Sequence, residues 1–108
     1  MALIGNYIDQ EGVEHDNVYY QIASVEAYKE FDDYCIEFNV HVFITKAVRL
    51  SGGDHVEEIR GNFHSGAAVN DVWYSDCYGA ALPVLNDVMA MRVIEFDSSL
   101  TISITGDE

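Results

Sequence analysis

Residues 34–45 read Tyr-Cys-Ile-Glu-Phe-Asn-Val-His-Val-Phe-Ile-Thr. Every second side chain is a large apolar one, and the face that they share consists of Ile36, Phe38, Val40, Val42 and Ile44. A period of two is the spacing of a β-strand with one buried face, and β-branched and aromatic residues favour the same structure. The stretch therefore predicts a strand that is buried on one side.

The segments on either side predict neighbouring antiparallel strands. Upstream, Val18–Tyr28 is strand-like as well, and the polar residues 29–33 are expected to form the hairpin loop between the two strands. Downstream, residues 51–54 (Ser-Gly-Gly-Asp) are typical of a turn, and Val56–Phe63 is expected to form a third strand. The sheet is thus expected to grow as a meander.

In the last third of the chain, the spacing of apolar residues changes to that of a helix and then returns to that of a strand. Between residues 71 and 90, apolar side chains recur every three or four positions, which predicts one face of a helix. Pro83 is expected to kink this helix or to split it in two. Residues 91–96 and 100–105 regain strand character and predict a terminal hairpin.

These elements fit one domain. A chain of 108 residues has the length of a single ordinary domain, so residues 1–108 are expected to fold as one unit. The order of elements predicts an α+β fold, in which an antiparallel sheet of about five strands carries one helical segment on a face.

The charge excludes two classes of partner. The sequence has 19 Asp and Glu residues against 5 Lys and Arg residues, which gives a net charge of −14. A nucleic-acid surface needs clustered cations, so direct nucleic-acid binding is not expected. An anionic membrane would repel the chain for the same reason. Its apolar runs are also interrupted before the ~20 residues of a membrane span, so no membrane contact is expected.

Metal and cofactor sites are not indicated by the spacing of ligand residues. Residues 9–17 are rich in carboxylates and include His15, yet they lack the ligand spacing of an EF-hand and are interpreted as a solvated turn. None of the 4 histidines has a partner at the spacing that joins two imidazoles on one helix or strand. We therefore expect no metal, no cofactor and separate histidines.

The sequence contains no enzymatic signature. Cys35 and Cys77 have no CxxC spacing and are interpreted as reduced, buried side chains, although a disulfide between them is not excluded by geometry. Asp76 disfavours a thiolate at Cys77, and the serine and histidine of residues 51–55 lie in a turn without the context of a catalytic triad. The pair Glu57/Glu58 is expected to be solvated, like Asp32/Asp33. No catalytic residue is assigned.

The remaining feature is a set of amphipathic aromatic residues. The chain has 7 tyrosines and 1 tryptophan, a type of side chain that is enriched where one end is buried and the other meets a partner. A small sheet protein also uses tyrosine on its half-buried faces, so two interpretations stay open. The candidate interface residues are Tyr7, Tyr19, Tyr20, Trp73, Tyr74 and Tyr78.

The N-terminal segment resembles a known group of proteins. Residues 5–19 read Gly-Asn-Tyr-Ile-Asp-Gln-Glu-Gly-Val-Glu-His-Asp-Asn-Val-Tyr. This resembles the start of small structural proteins of tailed bacteriophages, G-x-Y-x-D-x-x-G-V-x-x-x-N-A-Y, with Val18 in place of the usual alanine. The match covers about the first twenty residues. This segment is expected to form a strand through Tyr7 and a turn at Asp9–Gly12, and to return to a strand at Tyr19.

The resemblance implies a non-enzymatic virion protein, assembled in the host cytoplasm and present in many copies or as a symmetric oligomer with other virion proteins. A tail, baseplate or fibre-attachment component is the first expectation, and a capsid cement (decoration) protein is the near alternative. A different class, a small acidic intracellular binding or inhibitor protein, is supported by the charge alone.

Overall fold

The computed structural model describes residues 2–66 and 74–107. Across these residues the chain forms strands and helices in the order β1 (Ala2–Ile8), β2 (Glu14–Glu30), β3 (Asp33–Phe43), α1 (Lys46–Leu50), β4 (Glu57–Ser65), α2 (Tyr74–Glu95) and β5 (Ile104–Asp107). The strands form one antiparallel sheet of five strands in the order β4-β3-β2-β1-β5, and α2 packs on one of its faces. The predicted α+β class is confirmed.

The long hairpin of β2 and β3 forms the centre of the sheet. Its pairing runs from Tyr19 opposite Phe43 to Glu30 opposite Asp33, with one bulge after Ile22. The connecting turn is therefore tighter than the loop predicted over residues 29–33, since only two residues separate the strands.

The alternation in β3 puts its apolar face against α2. Phe38 and Val40 are fully buried in the main core cluster, together with Leu85 and Met89 of α2. Full burial of each such side chain contributes roughly 1.5–3 kcal/mol relative to its exposure, so this contact fixes α2 on the sheet. The strand predicted over residues 34–45 is confirmed, although β3 ends at Phe43 and the buried side chains of Cys35 and Phe43 lie on its other face.

The opposite face of the sheet is covered in part by α1. Thr45 caps this helix, because its hydroxyl accepts a hydrogen bond of 3.1 Å from the backbone N–H of Val48. Val48 then packs against a small cluster formed by Ala2, Tyr19 and Phe43. The residue pattern of this segment does not predict the helix.

Two predictions for the last third of the chain are wrong. Residues 91–95 belong to α2 and not to a strand, and β5 pairs with β1 instead of forming a terminal hairpin. Pro83 does not split the helix. Proline has no N–H, so the carbonyl of Gly79, four residues earlier in the helix, lacks its usual donor. Both residues are exposed, so water can hydrogen-bond to this carbonyl instead. The predicted helix positions 71–73 lie outside the described residues.

The N-terminal hairpin forms as predicted. The turn closes with a hydrogen bond of 2.9 Å from the N–H of Asp9 to the carbonyl of Val13, and Gly12 has a φ of 87°. A side chain at this glycine would be strained and would meet the ring of Phe96. The second strand begins at Glu14, earlier than the predicted re-entry at Tyr19.

Candidate functional site

The structure places most of the candidate interface tyrosines in the core. Tyr7 and Tyr20 of the sheet and Tyr78 of α2 belong to the main core cluster, and Tyr19 belongs to the small cluster under α1. Their hydroxyls also serve this chain: that of Tyr20 donates to the carbonyl of Asn6 at 2.8 Å, and that of Tyr78 accepts from the N–H of Ile22 at 3.0 Å. A role of these tyrosines in contacts with a partner stays a prediction.

The structure describes only one of the other two candidate interface residues. Tyr74 is the first residue of α2, and Trp73 lies outside the described residues.

A polar network lies at the edge of the main core. The hydroxyl of Tyr7 donates to Oε1 of Glu57 at 2.5 Å, and Arg92 of α2 holds both carboxylate oxygens of Glu57 at 2.8 and 2.5 Å. A third bond from Arg92, of 2.9 Å, reaches the carbonyl of Ile8. The network ties β1, β4 and α2 together.

The expectation that Glu57 is solvated is wrong, since its side chain is only 7% exposed and that of Arg92 is 13% exposed. The alternation of β4 explains this position, because Glu57 shares a face with the buried Ile59. That signal is present in the sequence, but the partner that makes burial of the carboxylate tolerable lies 35 residues away, on a segment predicted to be a strand.

The ionisation of the network follows from its contacts. Burial acts to raise the pKa of Glu57, but its hydrogen bonds to Arg92 and Tyr7 outweigh burial and hold that pKa below its usual range. Burial and the neighbouring Glu57 carboxylate raise the pKa of the Tyr7 phenol. Tyr7 is therefore a neutral donor, Glu57 a carboxylate and Arg92 a cation, which is the arrangement of a structural ion pair.

The acidic turn between β1 and β2 is organised by Asp9. Its Oδ1 accepts hydrogen bonds of 2.9 Å from the N–H groups of Glu11 and Val13, and its Oδ2 lies 3.0 Å from Nε2 of His15. The His15 contact and the two N–H bonds lower the pKa of Asp9. Both carboxylate oxygens contact groups of the turn itself, and the predicted turn between the two strands is confirmed.

The open face of the sheet carries a polar groove. Two neighbouring depressions of about 310 and 390 Å³ lie along it, lined by residues that include Asn39, Arg60, His41 and His55. His41 and His55 stack with their ring centroids 3.7 Å apart. Burial and the neighbouring His55 lower the pKa of His41. The expectation that all histidines are separate is wrong, because the loop after α1 brings His55 back over β3.

The serine and the two cysteines to which no catalytic role was assigned make local contacts or are buried. The hydroxyl of Ser51 donates to the carbonyl of Val48 at 3.0 Å, so it caps the end of α1. Both cysteines are free and buried, and burial together with Asp76 raises the pKa of the Cys77 thiol. Ser51 therefore has a structural role at the end of α1, and the prediction that both cysteines are reduced and buried is confirmed.

The outward side of α2 carries exposed apolar side chains near its C-terminal end. Met91 is 70% exposed and Ile94 is 82% exposed, and Ala90 beside them is also exposed. Such a helix differs from an ordinary surface helix, whose outward side is charged or polar. We call Ala90, Met91 and Ile94 the outer patch.

The segment Ser75–Glu95 is long and apolar enough to cross a membrane, judged by length and composition alone. This differs from the expectation drawn from the length of the apolar runs. Its inner side, with Ala81, Leu85 and Met89, is packed in the core of the sheet domain. The apolar side chains on the inner side of α2 are therefore buried against the sheet. The outer patch consists of apolar side chains that the core does not cover.

Comparisons with protein-family models, with curated proteins and with solved structures give no match for this chain.

Proposed function

We propose that this protein is a non-enzymatic structural protein of a tailed-phage particle, in the tail, baseplate or fibre-attachment region. The phage assignment rests on the resemblance of residues 5–19. The assembly role is supported by one structural observation, the outer patch on α2. Exposed apolar side chains that cluster on one helix are typical of surfaces that another protein covers.

The charge indicates which kind of partner the outer patch meets. A second copy of this chain would also carry a net charge of −14, and Asp87 and Glu95 lie on the exposed side of α2. Like charges disfavour that contact, so a less acidic virion protein is the better occupant. The large net charge keeps the free chain soluble until it meets this partner.

The test is incorporation of variants into particles. The double variant Met91→Lys/Ile94→Lys is expected to fold normally, because both side chains point into solvent, and to be depleted from purified particles. Leu50→Lys is the matched control, since Leu50 is 71% exposed on α1, away from the patch. Normal incorporation of the double variant, or equal depletion of both variants, would contradict the proposal.

A capsid decoration protein is the near alternative within the same class, and it is distinguished by copy number. A decoration protein covers the whole shell, so its copy number per particle greatly exceeds that of the portal protein. The copy number of a baseplate or fibre-joint protein is a small multiple of the portal copy number.

A second candidate function, an acidic binding or inhibitor protein, is favoured by the carboxylates at the tip of the β2–β3 hairpin. Glu26, Glu30, Asp32 and Glu37 are all exposed there. Such a protein would bind a basic partner with an affinity that falls steeply with salt, because exposed charges are screened. Salt-insensitive association with particles favours the virion role instead.

A further inference from the structure

Three potential metal ligands of different chemistry converge on the open face of the sheet, near the tip of the β2–β3 hairpin. The ligand atoms of Glu30, Cys35 and His64 all lie within 4.8 Å of one another. Cys35 is buried, whereas Glu30 and His64 are exposed. The cluster therefore has a fixed buried thiol and two side chains that can adjust.

The strand register produces this convergence. Cys35 in β3 lies directly opposite His64 in β4, and Glu30 in β2 lies opposite Asp33, two residues before Cys35. Residues two apart on a strand share a face, so all four side chains lie on the face opposite α2. The group is formed by three adjacent strands, which is a rigid support for a site.

A carboxylate, that of Asp33, lies beside the imidazole of the cluster. Oδ2 of Asp33 lies 3.5 Å from Nδ1 of His64, while Oδ1 of Asp33 accepts a hydrogen bond of 2.9 Å from the N–H of Tyr34. Metal-binding histidines commonly present one ring nitrogen to the metal and the other to such a carboxylate. Here Nε2 is the nitrogen left to bind the metal.

We propose that Glu30, Cys35 and His64 bind a zinc ion, with Asp33 as the outer partner of the histidine. A thiolate, an imidazole and a carboxylate form a typical ligand set for Zn²⁺, whereas Ca²⁺ and Mg²⁺ select oxygen ligands. Zinc bonds of about 2.0–2.3 Å in a tetrahedral centre place the ligand atoms about 3.3–3.8 Å apart. The three ligand atoms lie within 4.8 Å of one another, and the two exposed side chains can adjust to that spacing. Water completes the fourth position.

The surroundings favour a cation. Glu26, Asp32 and Glu37 are exposed on the same end of the hairpin and raise the local concentration of positive ions. Binding displaces the thiol proton of Cys35 to solvent, which the positive charge of the ion makes favourable.

The test is titration of the reduced, metal-free full-length chain with Co²⁺, which replaces Zn²⁺ and reports its ligands by absorption. We expect one Co²⁺ per chain, a thiolate-to-cobalt charge-transfer band, ligand-field bands of tetrahedral intensity, and displacement of Co²⁺ by Zn²⁺. Cys35→Ala should abolish the charge-transfer band. Asp33→Asn should weaken zinc binding by roughly 10–100-fold, as loss of an outer partner does.

Two variants serve as matched controls. Cys77→Ala removes the other cysteine, which lies on α2, and His55→Gln removes a histidine of the stacked pair; both should retain the band and the affinity. Should Cys35→Ala fail to fold, as judged by circular dichroism, His64→Gln provides the test, because its ring is 59% exposed and dispensable for the core. It should weaken zinc binding more than Asp33→Asn does.

Three results would overturn the proposal. They are cobalt binding without a thiolate band, a band that survives in folded Cys35→Ala, and unchanged zinc affinity in His64→Gln.

Discussion

Replacement of Arg92 by methionine removes the cation of the Tyr7–Glu57–Arg92 network while keeping an aliphatic chain in its place. The carboxylate of Glu57, 7% exposed, loses the bonds of 2.8 and 2.5 Å from Arg92. The carbonyl of Ile8 loses a bond of 2.9 Å. Removing one partner of a buried ion pair costs roughly 3–5 kcal/mol. The hydroxyl of Tyr7 still donates to Glu57, so we expect a value near the lower end, about 3 kcal/mol.

The assay is urea denaturation at neutral pH, followed by circular dichroism. The matched control is Arg60→Met, because Arg60 pairs with Glu58 at 3.8 Å on the surface, with side chains 79% and 36% exposed. An exposed pair contributes about 0–1 kcal/mol. The double variant Glu57→Gln/Arg92→Met should be less destabilised than the sum of its single variants, because no buried charge is left unpaired. Equal stability losses in Arg92→Met and Arg60→Met would refute this reasoning.

The same network gives a dependence on pH with a definite sign. The folded-state pKa of Glu57 is lower than its ordinary value of 4.5, so its contribution to stability is present above that pH and is lost as pH falls through the folded-state pKa. The difference in free energy of unfolding between the wild type and Glu57→Gln should therefore be constant at neutral pH and shrink below about pH 4.5. A difference that grows on acidification would contradict the assignment of Glu57 as the buried carboxylate.

Three further substitutions follow from local geometry, each measured by thermal or urea unfolding. Gly79→Ala should stabilise the protein by roughly 0.5–1 kcal/mol, because Gly79 lies inside α2 with no atom near the added methyl group; a loss of stability would contradict this. Gly5→Ala should destabilise it strongly, since the new carbon would lie 2.2 Å from the carbonyl oxygen of Ser103 and would separate β1 from β5; wild-type stability would refute the β1–β5 pairing. Asp9→Ala should cost about 1–2 kcal/mol through loss of two turn hydrogen bonds, whereas the exposed Asp16→Ala should cost almost nothing; equal effects would contradict the role of Asp9.

The sequence predicted the elements whose period is unambiguous. The alternation over residues 34–45 is regular and long enough to identify β3 and its buried face. Residues 91–96 form a short apolar run with no clear period, and such a run is compatible with either a strand or a buried helix. Tertiary contacts decide it: Met89 and Arg92, one turn apart, both reach partners in the sheet, so α2 continues to Glu95.

The side-chain clusters were predictable only in part. The position of Glu57 on the core face follows from the alternation of β4, but its neutralisation by Arg92 depends on how α2 crosses the sheet. The stack of His41 and His55 depends on the path of the loop after α1, a short helix that has no buried residue of its own. Cys35 and His64 meet through the register between β3 and β4, which a search for short ligand spacings does not detect.

The central claim, a structural role in a phage particle, is tested most directly by quantitative mass spectrometry of purified particles from a lysate that expresses this protein. The copy number is set against that of the portal protein in the same sample. The proposal predicts a copy number that is a small multiple of the portal number, as for a tail, baseplate or fibre-joint component. A number far above the portal's would move the protein to the capsid shell or the tail tube, and absence from intact particles would contradict the virion role.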